Sequence, residues 1–526
     1  MNFKFIDLFA GIGGFKMALS ANGGSCLGFS EINKDAINVY CENYNVDREA
    51  NFGDITKIKE LLSHDVLTAG VPCQSWSIAG KNLGFDDDRG QLWNDTIFLL
   101  RQSKPKVFIF ENVKGLIDPR NKDALSYILE RIKEAGYYAS YHVVNSYDYG
   151  VAQNRVRIYI IGFREKKYHE NFRLPKRFKE CSTLADILGI KRLKRISNER
   201  VQKDLFGNPI QIKQMSLSNK NGFNDYFLFN DLRNGQTTIH SWDILDTSER
   251  QQEICFLLLK NRRKSHFGPL DGNPLSLKQF QSLDSTITIE DLNDLVALGI
   301  FKKVDYTYEI LNYKDSELNE NELELLNLTR DNLLIIDRLK NERTLKLQKV
   351  SVINTIKTLL EKNLIKCIEE RFEFKNTKIS SGLNGVNRIF MPSSDVFPTL
   401  VASDTNDYVA LKDLNPANND EYKKQFLNEI YFPKNYRKIT KKEACLIQGF
   451  PENFKLPESR SRWMKLIGNS VSVPVIDMLI KAIISTGALD TQNKEMELNA
   501  NQYETNSFRL ENNTLENREC VTNGLT

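Results

Sequence analysis

The stretch Phe3-Lys4-Phe5-Ile6-Asp7-Leu8-Phe9-Ala10-Gly11-Ile12-Gly13-Gly14-Phe15 decides the fold. An apolar run opens it, and glycines end that run before helical spacing begins at Gly14. A strand that turns through glycines into a helix lets the backbone approach a ligand and offers it the helix's first amides. Alone, G-x-G-G is a weak signal, because tight packing makes the same demand. Its place behind the first strand strengthens it. Working outward from this first run at 3–7, short apolar runs at 26–31, 66–69, 107–111, 138–145 and 157–163 alternate with helical patterns at 14–21, 34–44, 94–102 and 124–135. That rhythm is the mark of an α/β domain, a parallel sheet with crossover helices.

Two carboxyls stand where such a domain would use them. The second run ends at Glu31, eighteen residues beyond Gly13, about where a Rossmann-like fold places a ribose-binding acid. Gly53-Asp54-Ile55 offers another at the next edge, suited to an adenine amino group. A nicotinamide dehydrogenase would ask for the same first features. Its G-x-G-x-x-G fingerprint is not matched, however, and it has no use for the next two motifs. In Val71-Pro72-Cys73-Gln74 a thiol follows a proline that stiffens the corner. Thirty-eight residues past that cysteine, Glu111-Asn112-Val113 brings a carboxyl to the end of another apolar run. A thiol and an acid at the ends of two parallel strands face the crevice in which open α/β sheets bind ligands.

The bulk numbers bound the rest. At 526 residues the chain is too long for one ordinary core, so two or three domains are expected. A net charge of +4, from 72 basic and 68 acidic residues, neither demands nor excludes nucleic acid; a basic face must be local. The eight cysteines are scattered without a C-x-x-C pair and the five histidines show no metal spacing. Neither a disulfide framework nor a metal site is expected, which suggests a reducing cytoplasm. No stretch is expected to reach the apolar length of a membrane span.

Five blocks then carry a resemblance. Phe9-Ala10-Gly11-x-Gly13-Gly14, Pro72-Cys73-Gln74, Glu111-Asn112-Val113, Gln153-x-Arg155-x-Arg157 and Gly468-Asn469-Ser470-Val471 stand in the order of the conserved blocks of DNA (cytosine-5) methyltransferases. The chain resembles a bacterial or phage restriction-modification enzyme of that family over about 3–164 and 388–484. The resemblance implies a Rossmann-like S-adenosylmethionine-dependent α/β domain with a separate, mixed α+β target-recognition domain. The S-adenosylmethionine pocket would be lined by Phe9, Ala10, Gly11, Gly13 and Gly14, by Glu31, Ile32, Asp54 and Ile55, and by Pro72, Leu92, Asn469 and Ser470. Ile32 departs from well-known members, which often carry tryptophan there; isoleucine can still pack on a ring face.

Carbon 5 of cytosine is a poor nucleophile, and a thiolate adding to carbon 6 supplies the missing electron density. By resemblance that thiolate is Cys73. Glu111 then relieves charge at nitrogen 3, which requires it to hold or share a proton; an acid paired structurally with Arg155 or Arg157 is the plainer reading, and both can hold at once. Arg155 and Arg157, two apart, would share one strand face; the resemblance implies Arg157 at the cytosine carbonyl and at Glu111, with Arg155 supporting the site or the DNA backbone. The base must be extruded from the duplex. The segment 77–90, with three glycines, fits a mobile lid. Gln74, Ser77, Lys81 and Arg89 are the expected DNA contacts around it.

Domain borders are expected at 1–164 (catalytic, N-terminal part), 165–387 (target recognition), 388–487 (catalytic, completed) and 488–526, an Asn- and Glu-rich tail expected to be disordered. In the middle region, Arg233, Arg262 and Arg263 are candidate groove or phosphate contacts. Residues 288–301 read as a capped core helix, or the second half of a winged helix, while 323–364 read as long charged helices with a solvated face. Double-stranded DNA is the expected partner, a cognate restriction endonuclease a functional one, and a monomer without membrane contact the default state. A tRNA cytosine-5 methyltransferase shares the blocks but usually has a small recognition segment. A silent DNA-binding protein of the same fold is opposed by intact Cys73 and Glu111.

Overall fold

The computed structural model describes residues 2–72, 88–178, 182–190, 225–235, 237–268, 272–313, 318–327, 332–336, 352–376, 381–394, 396–414 and 416–490. The chain divides into two compact units, Met1–Arg192 with Pro392–Thr405 and Ile439–Thr526, and Leu193–Met391 with Asn406–Lys438.

The first unit is built on a six-stranded sheet. Its elements are β1 (Phe3–Leu8), α1 (Gly14–Ala21), β2 (Gly24–Ser30), α2 (Lys34–Tyr44), β3 (Val66–Gly70), α3 (Asp88–Ser103), β4 (Val107–Val113), α4 (Lys122–Glu134), β5 (Tyr138–Asn145), β6 (Gln153–Asn154) and β7 (Val156–Phe163). The strands run in the order β2-β1-β3-β4-β7-β5. Strands β3 and β4 are buried almost throughout, as expected of central strands covered on both faces. The expected all-parallel sheet needs correcting. Strands β1 to β4 are parallel, but β7 pairs antiparallel with both β4 and β5. Between β5 and β7 lie only residues 146–155, too few for a crossover helix, so the chain turns straight back.

The C-terminal block completes this unit. Helix Lys441–Gln448 opens with the expected capping box, in which Glu443 N–H reaches Thr440 and Thr440 N–H reaches Glu443 Oε2 at 2.8 Å. Helix Val473–Ile484 lies against α1, where Asn22 Nδ2 donates to Asp477 Oδ1 at 2.8 Å. The 25 residues Arg460–Ile484 are apolar and long enough to cross a membrane, against the expectation that no stretch would be. They form two helices, Arg460–Asn469 and Val473–Ile484, whose apolar side chains are mostly buried, as in the core of a globular unit.

In the second unit, a three-stranded antiparallel sheet places Phe301–Ile310 between Leu333–Ile335 and Ile365–Phe374. Helix Ile289–Ala297, capped by Thr288, buries Leu292 and Leu295 in one core with Phe301 and Phe374. The reading of 323–364 as long solvated helices is corrected by a second core. Leu325, Leu326, Leu334, Ile356 and Leu359 are buried together, around a strand and two short helices. A five-stranded sheet runs Tyr436–Arg437, Asp407–Ala410, Arg388–Phe390, Tyr226–Phe229, Thr238–Ile239. This sheet moves the division of the chain away from 388. Strand Asp407–Ala410 pairs with Arg388–Phe390, so 406–438 groups with the second unit, against the expectation that 388–487 completes the first.

Candidate active site

The turn after β1 is shaped by backbone that few residues tolerate. Phe9 sits at φ 52°, Gly11 at 56° and Gly13 at 83°. A bulky residue at positive φ stores of the order of 1–3 kcal/mol, and such strain gathers at ligand-holding turns. Two contacts hold it. Gly11 N–H donates to Glu31 Oε2 at 2.9 Å, and Tyr44 Oη donates to the Gly13 carbonyl at 2.6 Å. A side chain at Gly13 would strike the Tyr44 ring, and one at Gly14 would meet Val471 at 2.7 Å and Ser470 Oγ at 3.1 Å. These glycines therefore admit α2 on one side and the Ser470-Val471 segment on the other.

Glu31 and Asp54 converge on the same edge of the sheet. Glu31 Oε1 accepts the amides of Ile32 and Asn33, at 2.9 and 2.8 Å. Asn51 joins the two acids' segments, because its Oδ1 accepts from Glu31 N and Gly53 N. Ser30 Oγ donates to the Gly53 carbonyl at 2.6 Å. Asp54 Oδ1 takes both the amide and the hydroxyl of Thr56, which hold its carboxyl below the usual range. Ile55 is buried, with Leu92 packed against the same core, and Ile32 is 73% exposed. Positions Gly11 and Gly53 face open space on their Cβ side. Open space beside bare backbone, two acids and an exposed apolar side chain fit an adenosine bearing a ribose and a charged tail.

Glu111, two residues before the end of β4, lies next to Gly70 at the end of β3, in parallel register. Arg157 in β7 reaches it, Nε to Oε1 at 3.1 Å, with both side chains largely buried. Asn112 donates to the Val71 carbonyl at 3.2 Å, tying the residue before Pro72 to β4. That role of Asn112 had no separate signal in the sequence beyond its place beside Glu111. Tyr44 and Asn51 had none either, since both act across long sequence distances.

Arg155, expected beside Arg157, does not share its surroundings. It falls between β6 and β7, is 2% exposed, and its guanidinium donates to the carbonyls of Leu400, Gly468 and Ser470 at 3.1, 3.1 and 2.7 Å. The alternation argument fails because residue 155 is not in a strand. Its geometry is that of a positioning residue for the segment bearing Asn469 and Ser470.

Arg262 also needs correction as a DNA contact. It is 6% exposed, paired with Glu373 at 3.0 Å and set over the Phe374 ring. Arg233 and Arg263 are exposed. Cys73, Gln74, Ser77 and Lys81 lie outside the described residues, as do the Arg89 side chain and the tail from 491. Among the described residues no cluster of three or more potential metal ligands occurs.

Asp7, beneath the glycine turn, is fully buried. Thr68 Oγ1 donates to its Oδ1 at 2.9 Å, and Oδ2 has no hydrogen-bond partner among the described residues. Burial raises its pKa from 3.8 to about 7, with Glu31 adding and Thr68 and Lys16 opposing. A carboxyl whose pKa is raised on folding favours the native state while protonated, and that advantage is lost as pH rises from about 4 to about 7. Urea unfolding should therefore show wild type losing roughly 3 kcal/mol relative to Asp7→Asn between pH 5 and 8.5. Parallel pH profiles for the two proteins would show that Asp7 is already ionised.

The fold and this site define an α/β enzyme that binds an adenosine-containing cofactor at the C-terminal edge of its sheet. The chain belongs to the C-5 cytosine-specific DNA methylases, whose family model matches residues 3–485. It is similar to the type II methyltransferase M.HgiBI of Herpetosiphon aurantiacus, 41% identical over 485 residues that cover 91% of this chain and 96% of the relative. The type II methyltransferase M.NlaIV of Neisseria lactamica is 29% identical over 92% of this chain and 99% of its own. M.HhaI of Haemophilus parahaemolyticus is 42% identical over 187 residues, 35% of this chain and 56% of that one. As a member of this family the protein transfers a methyl group from S-adenosylmethionine to carbon 5 of cytosine in double-stranded DNA.

Proposed function

We propose that Cys73, Glu111 and Arg157 carry the reaction, as a DNA (cytosine-5-)-methyltransferase protecting the cell's DNA from a cognate restriction endonuclease. The observation that carries this reading is the Glu111–Arg157 pair near the end of β4, abreast of the strand that leads toward Pro72. The length shared with M.HgiBI supports the restriction-modification role, because the likeness spans both units.

S-adenosylmethionine, when bound, supplies an electrophilic methyl group. Phe9, Gly11, Glu31 and Asp54 would hold its adenosine end, Glu31 serving the ribose and Asp54 the adenine amine. Pro72, Leu92, Asn469 and Ser470 close the pocket. Cys73 forms a sulfur–carbon bond at carbon 6 of the extruded cytosine, and the displaced electron pair is stabilised at nitrogen 3 by a proton from Glu111. Arg157 orients Glu111 and meets the cytosine carbonyl. Carbon 5 would bond the methyl carbon as the methyl–sulfur bond breaks, sulfur keeping the electron pair. Loss of the carbon 5 proton, to water, breaks the bond to Cys73, and nitrogen 3 returns its proton to Glu111, which restores the neutral aromatic ring. Gln74, Ser77, Lys81 and Arg89 contact DNA near the extruded base, with Arg233 and Arg263 contacting it from the second unit. The protein acts as a monomer in the cytoplasm.

A duplex carrying 5-fluorocytosine at the target cannot lose a proton from carbon 5, so incubation with S-adenosylmethionine should leave DNA covalently bound to Cys73. Mass spectrometry of the tryptic adduct checks this. Cys73→Ser should still bind the duplex but form no adduct. An active wild-type enzyme that gave none would overturn the reading.

A further inference from the structure

We propose that Gln448 is a positioning residue for the cofactor site, acting through the carbonyl of Ser470. This rests on the reading that Asn469 and Ser470 line that site. Gln448 is the last residue of helix Lys441–Gln448 and is fully buried. Its Nε2 donates to the Ser470 carbonyl at 2.8 Å, and its Oε1 accepts from Gln153 Nε2 at 3.0 Å. The side chain's direction is thereby fixed at both ends. The amide nitrogen can face only Ser470, because Gln153 offers a donor to the other atom.

Ser470 is where the pull matters. Helix Arg460–Asn469 ends at this residue, which adopts an extended backbone at φ −76°, ψ 154°. A helix end leaves carbonyls without intrahelical partners, and buried ones must find donors elsewhere. Here the Ser470 carbonyl receives two, from Gln448 and from Arg155 Nη2 at 2.7 Å. On its other side the same segment abuts the glycine turn, with Ser470 Oγ and Val471 filling the space that a side chain at Gly14 would need. Gln448 thus holds the segment 469–471 from behind at the place where it forms one wall of the turn. Arg155 reaches Gly468 and Leu400 as well as Ser470, so it fastens the whole block. Gln448 has this single backbone acceptor and sets only the local placement.

Gln448→Glu separates the two bonds. A carboxylate can still accept from Gln153 but cannot donate to the Ser470 carbonyl. The full-length variant should bind S-adenosylmethionine about tenfold more weakly by titration calorimetry, equivalent to about 1.4 kcal/mol. Its kcat at saturating cofactor and its KM for DNA should stay within twofold of wild type. Gln448→Met, which removes both bonds at similar volume, should weaken cofactor binding at least as much, and Gln153→Met, which frees only the far end, by about threefold. A merely structural role would lower the unfolding midpoint while leaving the cofactor affinity of the folded enzyme unchanged. That outcome in either Gln448 variant would overturn the proposal, and should both fail to fold, unchanged affinity in Gln153→Met would do so. Asn469→Ala and Ser470→Gly provide the distinguishing control. Weakened affinity there with none in the Gln448 and Gln153 variants removes the positioning role alone. No effect in any of these proteins removes the assignment of 469–470 to the cofactor site.

Discussion

Glu111→Gln lowers the rate of methyl transfer by roughly 10²–10⁴-fold, the usual contribution of a positioned general acid. The amide keeps the shape of the side chain and can still accept from Arg157 Nε, which lies 3.1 Å away in the wild type. It cannot hand a proton to nitrogen 3, so charge accumulates on the ring when Cys73 adds. Cofactor affinity should be unaffected, because no contact joins Glu111 to the glycine turn or to Glu31 among the described residues. Single-turnover methylation with saturating duplex and S-adenosylmethionine measures the step directly. A variant within threefold of the wild-type rate would remove Glu111 from the chemistry and leave it an ion-pair partner of Arg157.

Arg155→Met should destabilise the protein by about 3–5 kcal/mol, the largest stability effect expected in the first unit. Three carbonyls, of Leu400, Gly468 and Ser470, share one buried guanidinium; Gln448 still serves Ser470 in the variant, so the loss falls on the other two. Leaving a buried acceptor unpaired costs roughly 1–3 kcal/mol, partly relieved where the backbone can relax. Methionine has similar reach and no donor, so it fills the space without meeting the need. Arg155→Lys should recover only part of the loss, because one ammonium lacks the planar fork that spans separated acceptors. Urea unfolding gives the ranking: wild type above lysine above methionine. Equal midpoints for wild type and Arg155→Met would mean that water reaches these carbonyls and that the arginine is not what closes the block.

Much of the catalytic unit was legible in the chain because its signals are local. Helices α1 and α2 and strand β5 fall where apolar spacing places them, and Thr440 caps its helix with Glu443 as the S/T-x-x-E pattern demands. The glycine turn was legible for the same reason: positive φ at Gly11 and Gly13 is a property of three or four residues. Where reading by pattern failed, the deciding contact was distant. Arg155 and Arg157 look alike in sequence, yet one turns to Gly468 and Ser470, more than 300 residues on, and the other to Glu111. Arg262 looks like one more surface arginine until Glu373 is found beside it.

Taken by itself, the sequence determined that a glycine turn follows the first strand, that Glu111 closes an apolar run, and that five blocks recur in the order of one family. Those are facts of spacing and composition, fixed by backbone preferences that act over a few residues. The tertiary structure alone decided that β7 runs against its neighbours, that 406–438 belongs with the second unit, and that Arg155 turns to Gly468 and Ser470. Each of those depends on which buried donors and acceptors find one another once the chain has closed. A hydrogen bond between residues hundreds of positions apart leaves no periodicity in either segment.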